Sequence, residues 1–173
     1  MARSLPFLIL ISSIFISSGV RMATRLEYSV TAKCKPEHVW QKFHKLEEWP
    51  WWNRVVGRAK WLSGKPWEKG SQFLMDLVYP RKISFRPTII EAVPPNRIGW
   101  VGKTTGFTGE HWFSFEAQPD GTTLIKTWED ISGLVATLFG SGMKQSLVAM
   151  HKDWLEALKT EAEKIAREEL ARS

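Results

Sequence analysis

MKQSLVAMHKDWLEALKTEAEKIAREELAR, residues Met143 to Arg172, closes the chain with one helical pattern. Leu147, Met150, Trp154, Leu158, Ala162 and Ile165 recur at steps of three or four, and His151 and Leu155 widen the stripe. The other face is charged, through Lys152, Asp153, Glu156, Lys159, Glu163, Arg167 and Glu168. Glu163 with Arg167 and Glu168 with Arg172 are pairs at i,i+4 spacing, which support an exposed helix face. Neither Pro nor Gly interrupts the run, and Gly140-Ser141-Gly142 marks its start. The pattern predicts a single amphipathic helix about 45 Å long at the usual rise per residue. An apolar stripe of that length needs a large partner surface. The middle of the chain offers strands and almost no helix, so the expected architecture is α+β: a curved antiparallel sheet gripping one long helix.

Working back to the start, residues 1–25 stand apart from the pattern. Arg3 precedes an apolar run from Leu5 to Ile16, and Ser17-Ser18-Gly19 follows. Two readings stand: a secretory signal or signal-anchor, or an upstream start that precedes a true one at Met22. The first implies export or membrane contact through residues 1–20, the second a cytoplasmic protein. The domain is expected to occupy residues 26–173, with the leader outside the fold.

Leu26 to Ala32 alternates as a strand, with Leu26, Tyr28, Val30 and Ala32 on one side. Pro36 and Glu37 open a short helix whose stripe is Val39, Trp40 and Phe43, and Trp49-Pro50-Trp51-Trp52 reads as a second. About six strands follow. Val56–Leu62 comes first, then Ser71–Tyr79, with Phe73, Met75, Leu77 and Tyr79 inward. Ile83–Val93 reads as one long strand disturbed at Pro87, and Arg97–Lys103 carries Ile98 and Trp100. Phe107–Ala117 turns His111, Phe113 and Phe115 to one face, and Pro119-Asp120-Gly121 signals a hairpin. In Thr122–Ile131 either Ile125, Thr127, Glu129 and Ile131 face in, or Leu124 and Trp128 do; the first is preferred because it leaves Lys126 in solvent. Leu134–Phe139 reads as a helical lead-in.

This order, one strand, two short helices, about six strands and a long helix, resembles the START-like superfamily of helix-grip proteins. Within it, the chain resembles the bacterial polyketide cyclase/dehydrase and lipid-transport group. The likeness is carried by Pro36-Glu37-His38-Val39-Trp40, Trp49 to Trp52, Gly70-Ser71-Gln72-Phe73, and the run from Glu91 to Ile98 with Trp100. It continues through Gly109-Glu110-His111-Trp112-Phe113, Gly121-Thr122 and Ser132-Gly133-Leu134, and spans about Leu26 to Lys164. The order and spacing carry it, not any single motif. The resemblance implies a deep, mostly apolar cavity between sheet and long helix. It does not imply an enzyme, since the fold hosts carriers, receptors, cyclases and hydrolases.

Composition fits such a cavity. Ten Trp in 173 residues is a high count for a ring suited to lining a hollow or lying against a membrane interface, although for each one a core or half-buried sheet position is the preferred reading. The net charge of +6 is modest and no dense Lys/Arg run occurs, so a nucleic-acid partner is not expected. No phosphate-binding glycine loop, nucleophile elbow or zinc spacing is present, and His38 and His44, six apart, do not share a helix face. Neither a cofactor nor a metal is therefore expected. Cys34 between Lys33 and Lys35 could carry a lowered thiol pKa, although an inert residue at a strand end is the preferred reading.

The expected cavity is bounded by Phe73, Met75, Leu77, Tyr79, Trp100, His111, Phe113, Leu147, Met150 and Trp154. His111 is its principal polar group and an acid/base candidate, with Glu129 as a partner from the neighbouring strand. His151 sits on the helix stripe, either facing or flanking the pocket. The favoured function is binding of a hydrophobic small molecule such as a lipid, quinone or polyketide-like aromatic. A cyclase/dehydrase-type enzyme using His111, and a membrane-anchored accessory protein, are the alternatives.

Overall fold

The computed structural model describes residues 24–79, 82–133 and 141–172. The chain runs β1 (Thr24–Ala32), α1 (Pro36–Phe43), a 3-10 turn (Leu46–Glu48), α2 (Trp49–Trp52), β2 (Val56–Ser63) and β3 (Gln72–Leu77). It continues through β4 (Ile83–Phe85), β5 (Thr88–Val93), β6 (Arg97–Thr104), β7 (Phe107–Ala117), β8 (Thr123–Ser132) and α3 (Ser141–Leu170). The strands form one antiparallel sheet in the order β1-β8-β7-β6-β5-β3-β2, with β4 paired to β3 beside this path. This is the helix-grip arrangement. The first described strand starts at Thr24, two residues before Leu26, and Arg25 holds Asp130 of β8 through two hydrogen bonds of 2.8 and 2.6 Å. The rest of the leader and the Leu134–Phe139 lead-in lie outside the described residues. Among the described residues no helix is long and apolar enough to cross a membrane.

The sheet has eight strands rather than about seven. Ile83–Val93 is two strands, parted at Arg86-Pro87. Pro87 has no N–H to give a ladder, and its carbonyl instead accepts from the Phe73 N–H at 3.2 Å. The bend lets one strand, β3, pair with both: Met75 opposes Phe85 of β4, and Gln72 opposes Thr88 of β5.

The face of α3 expected to meet the sheet does so. Met150, Trp154, Leu155, Leu158 and Ala162 are all buried, and so is His151. The polar flank is more engaged than its spacing suggested. Glu163 accepts the Lys33 N–H at 2.8 Å, and Asp153 pairs with Arg54 at 2.6 Å. Further along, Glu161 pairs with Lys42 at 2.9 Å and Glu169 with His38 at 2.7 Å, which clamp α3 to α1.

The two short helices do more than cap the sheet. Phe43 and Trp49 are completely buried, and the Trp49 indole N–H donates to the Phe43 carbonyl at 2.7 Å. With Phe73, Phe113 and Phe115 they make an aromatic plug: Phe43 lies 5.0 Å from Phe113 and 5.1 Å from Trp49, ring centre to ring centre. One half of the space between sheet and α3 is thereby filled.

Candidate functional site

The other half is hollow. Trp100 of β6 and Trp154 of α3 stand at the divide. Both touch Trp49 of the plug, at 6.0 and 5.2 Å between ring centres, and both line the hollow. The cavity holds about 310 Å³. Met75 and Leu77, Ile83 and Phe85, and Pro87 line it from β3, β4 and the bend after β4. β6, β7 and the turn between them contribute Trp100, Gly102, Thr104, Thr105, Phe107, Gly109 and His111. Glu129 and Ile131 of β8, with Met143, Leu147, Met150 and Trp154 of α3, complete the wall.

Of the residues expected there, Met75, Leu77, Trp100, His111, Leu147, Met150 and Trp154 stand on this wall, together with Glu129. Three do not. Phe73 and Phe113 point inward but are wholly buried within the plug, because α1 and α2 fill that end. Tyr79 lies beyond the end of β3, where the inward alternation stops, and is 42% exposed. The sequence reading missed Ile83, Phe85, Phe107, Ile131 and Met143. Ile131 was in the row assigned inward on β8, and the spacing of Ile83 and Phe85 carried the signal for β4 once Pro87 was taken as a break.

The preferred face of β8 is the inward one: Ile125, Thr127 and Ile131 are buried. On the outer face Trp128 stacks on Trp112, 5.9 Å between ring centres and 6° from parallel. This face choice sets the polar part of the site. β7 and β8 pair so that His111 and Glu129 are direct cross-strand neighbours. Gly109, two positions from His111 on the same face, lets the carboxylate fold inward; a Cβ there would lie 2.6 Å from Glu129 Oε1. From the opposite side α3 brings His151, whose ring centre is 4.9 Å from that of His111 and whose Nε2 is 3.5 Å from Glu129 Oε2.

Hydrogen bonding fixes one tautomer. The Thr127 hydroxyl donates to the Trp112 carbonyl at 2.9 Å, which spends its only proton. It can therefore only accept from His111 Nε2, 2.7 Å away, so that nitrogen carries the proton and Nδ1 keeps its lone pair. Burial pushes the His111 imidazole down to about 3; His151 adds to the shift and Glu129 opposes it. His111 is thus neutral at neutral pH. For Glu129, burial works upward, but the hydrogen bond with His151 and the two neighbouring imidazoles outweigh it and hold the carboxyl below its ordinary value. The His151 side chain is completely buried; among the described residues its Nδ1 has no hydrogen-bond partner, and its Nε2 meets only the Glu129 carboxylate, at 3.5 Å. One donor atom from each of His111, Glu129 and His151 lies within 4.8 Å of the others. Sequence spacing could not show this group, because its members come from three elements brought together only by the fold. Cys34, the other reactive side chain considered, is buried, and burial pushes its thiol up to about 11, against the lowering that Lys33 and Lys35 suggested.

Residues 23–163 match the family model described as polyketide cyclase / dehydrase and lipid transport. The chain belongs to this family. No curated protein sequence matches it. Its fold is similar to that of a START superfamily protein from Mycobacterium smegmatis, 17% identical with a TM-score of 0.68, over 82% of this chain and 98% of that one. A hypothetical protein from Helicobacter pylori is 16% identical with a TM-score of 0.68, over 93% and 99% of the two chains. The Zhui aromatase/cyclase from Streptomyces sp. R1128 is 13% identical with a TM-score of 0.67, over 83% and 95%. At these identities the likeness is one of fold. With the family match it makes this domain a START/polyketide cyclase-type ligand-binding fold.

Proposed function

We propose that the domain binds a hydrophobic small molecule, a lipid, quinone or polyketide-like compound, in the cavity between the sheet and α3. The observation that carries this reading is the hollow itself: about 310 Å³ walled by Met, Leu, Ile, Phe and Trp side chains, with His111 and Glu129 as the ionisable groups among the described lining residues. Small-molecule sites have this make-up, an apolar lining for affinity and a few polar groups for orientation. Its volume is at the lower end of the usual range of about 300–1,000 Å³. The occupant is therefore compact, or reaches out of the cavity, and carries an oxygen for the cluster.

Native mass spectrometry of the purified chain tests this. The expected result is a co-purifying small molecule that is retained on gentle desolvation and extracts into organic solvent. A chain that carries none, and takes up none from a mixture of fatty acids, quinones and aromatic polyketides, overturns the reading.

A second reading, a cyclase/dehydrase-type enzyme, is favoured by one observation. His111, a neutral imidazole with a free Nδ1 lone pair, and the Glu129 carboxylate are cross-strand neighbours on the cavity wall. A group so placed can take a proton from a bound ligand. His111→Ala chain that still retains a ligand but no longer converts it would favour the enzyme; conversion unchanged by the substitution would exclude His111 as the base.

A further inference from the structure

We propose that His111, Glu129 and His151 form a three-ligand site for one divalent transition-metal ion, with its remaining coordination position open to the apolar cavity. The inference goes beyond ligand binding and does not depend on it, because metal uptake is measured with the cavity empty.

The first argument is the state of His151. Its imidazole is completely buried; among the described residues Nδ1 has no hydrogen-bond partner, and Nε2 has only a long contact with Glu129 Oε2, at 3.5 Å. Buried polar groups are nearly always satisfied, and one that is not calls for a missing partner. The second is charge. Glu129 has a side chain only 14% exposed, and among the described residues no Lys or Arg lines the cavity with it. A buried carboxylate needs a compensating charge, and a cation held between it and two imidazoles supplies one.

The third argument is geometry. In a tetrahedral site with bonds of about 2.0–2.1 Å, neighbouring donor atoms lie about 3.3 Å apart. His151 Nε2 and Glu129 Oε2 are already at 3.5 Å, and one ring nitrogen or carboxylate oxygen from each of the three residues lies within 4.8 Å of the others. Closing the remaining edges takes side-chain shifts of about 1 Å to reach such bonds. The fourth is support. His111 is held through Nε2 by Thr127, which is itself anchored to the Trp112 carbonyl, and this leaves Nδ1 as the donor. A ligating histidine oriented through its second nitrogen is the usual support in a metal site. Gly109 leaves the space that the Glu129 carboxylate occupies.

The donor set selects the ion. Two imidazoles and one carboxylate suit zinc, iron(II), cobalt(II) or nickel(II), whereas magnesium and calcium prefer oxygen alone. Three protein donors leave a position free, the arrangement of reactive rather than purely structural sites. His111 and Glu129 face the cavity and His151 does not line it, so the free position points at the hollow. It would take a carbonyl, carboxylate or phenolate oxygen of an otherwise apolar molecule.

The test is a titration of the full chain, stripped with EDTA and dialysed, with Co2+ followed by visible absorption and with Zn2+ followed by calorimetry. One ion per chain is expected. Glu129→Gln and His151→Gln should each weaken binding by at least about 100-fold, and Thr127→Val, which removes support but no donor, by about 10-fold. His38→Gln, at a histidine paired to Glu169 far along α3, should leave affinity unchanged. No saturable binding overturns the proposal. So does a loss of less than about tenfold in both donor variants, or a loss in His38→Gln that matches theirs. Should a donor variant fail to fold, proton NMR of the Co2+ form of the unaltered chain decides. Two sets of strongly shifted imidazole resonances support the site; fewer than two overturn it.

Discussion

Trp154 of the long helix stands edge-on to Trp49 of the second short helix, with ring centres 5.2 Å apart and planes at 75°. Through this contact α3 closes the filled half of the interior, and the same indole forms part of the cavity wall. Trp154→Ala should therefore destabilise the domain by about 3–5 kcal/mol, the usual range for deleting a buried aromatic side chain. Glu168→Ala serves as the control. Glu168 is half exposed and pairs with Arg172 at 4.0 Å, so its loss should cost under about 1 kcal/mol. Urea unfolding of both variants checks the ratio; equal losses would mean that the plug does not bear on the helix.

Glycines on β6 divide by face. A Cβ at Gly99 would lie 2.4 Å from the Trp112 ring, on the outer side where Trp112 stacks with Trp128. Gly99→Ala should cost about 1–3 kcal/mol through overpacking. At Gly102, on the cavity wall, the nearest atom to an added Cβ would be Phe85 Cδ1 at 3.8 Å, an ordinary contact. Gly102→Ala should change stability by less than about 1 kcal/mol. Thermal melts of the two single variants, measured side by side, distinguish them.

Most of the architecture was legible from residue spacing. The helical stripe from Leu147 to Ala162 and the alternation from His111 to Phe115 are local patterns, and each required one burial face. The misses had physical causes. Pro87 broke a ladder that alternation alone would have continued. Tyr79 lay past the point where β3 stops pairing inward. Phe73 and Phe113 shared the inward face with true lining residues, and only the docking of α1 and α2 decided which end was filled. The room at Gly99 is for Trp112 on the outer face and not for the cavity. The meeting of His111, Glu129 and His151 depends on the β7–β8 register and on the rotation of α3 together. Neither is encoded within one segment.

Cys34 gives a prediction at alkaline pH. Burial, reinforced by the Glu163 carboxylate, pushes its thiol up to about 11. In the unfolded chain a thiol titrates near about 8.5. Between these values the native state holds a proton that the unfolded state has lost, so stability falls as pH rises through the window. Denaturant midpoints should decline between about pH 8.5 and 10.5 in the unaltered chain, and less steeply in Cys34→Ala. Identical slopes would show that Cys34 is not protected.

The hollow beneath the first half of α3 is proposed to receive an apolar molecule. The most direct test is a fluorescence titration of the native chain with an environment-sensitive apolar dye, repeated with Met150→Trp, which fills part of the cavity from α3. The expected result is saturable binding of about one dye per chain, with a dissociation constant of roughly micromolar order, as suits a modest apolar site. Met150→Trp should remain folded, with its melting transition retained, and bind the dye at least about tenfold more weakly, a difference of about 1.4 kcal/mol. Binding no stronger than to an unrelated globular protein, or equal binding by the folded Met150→Trp chain, would contradict the claim.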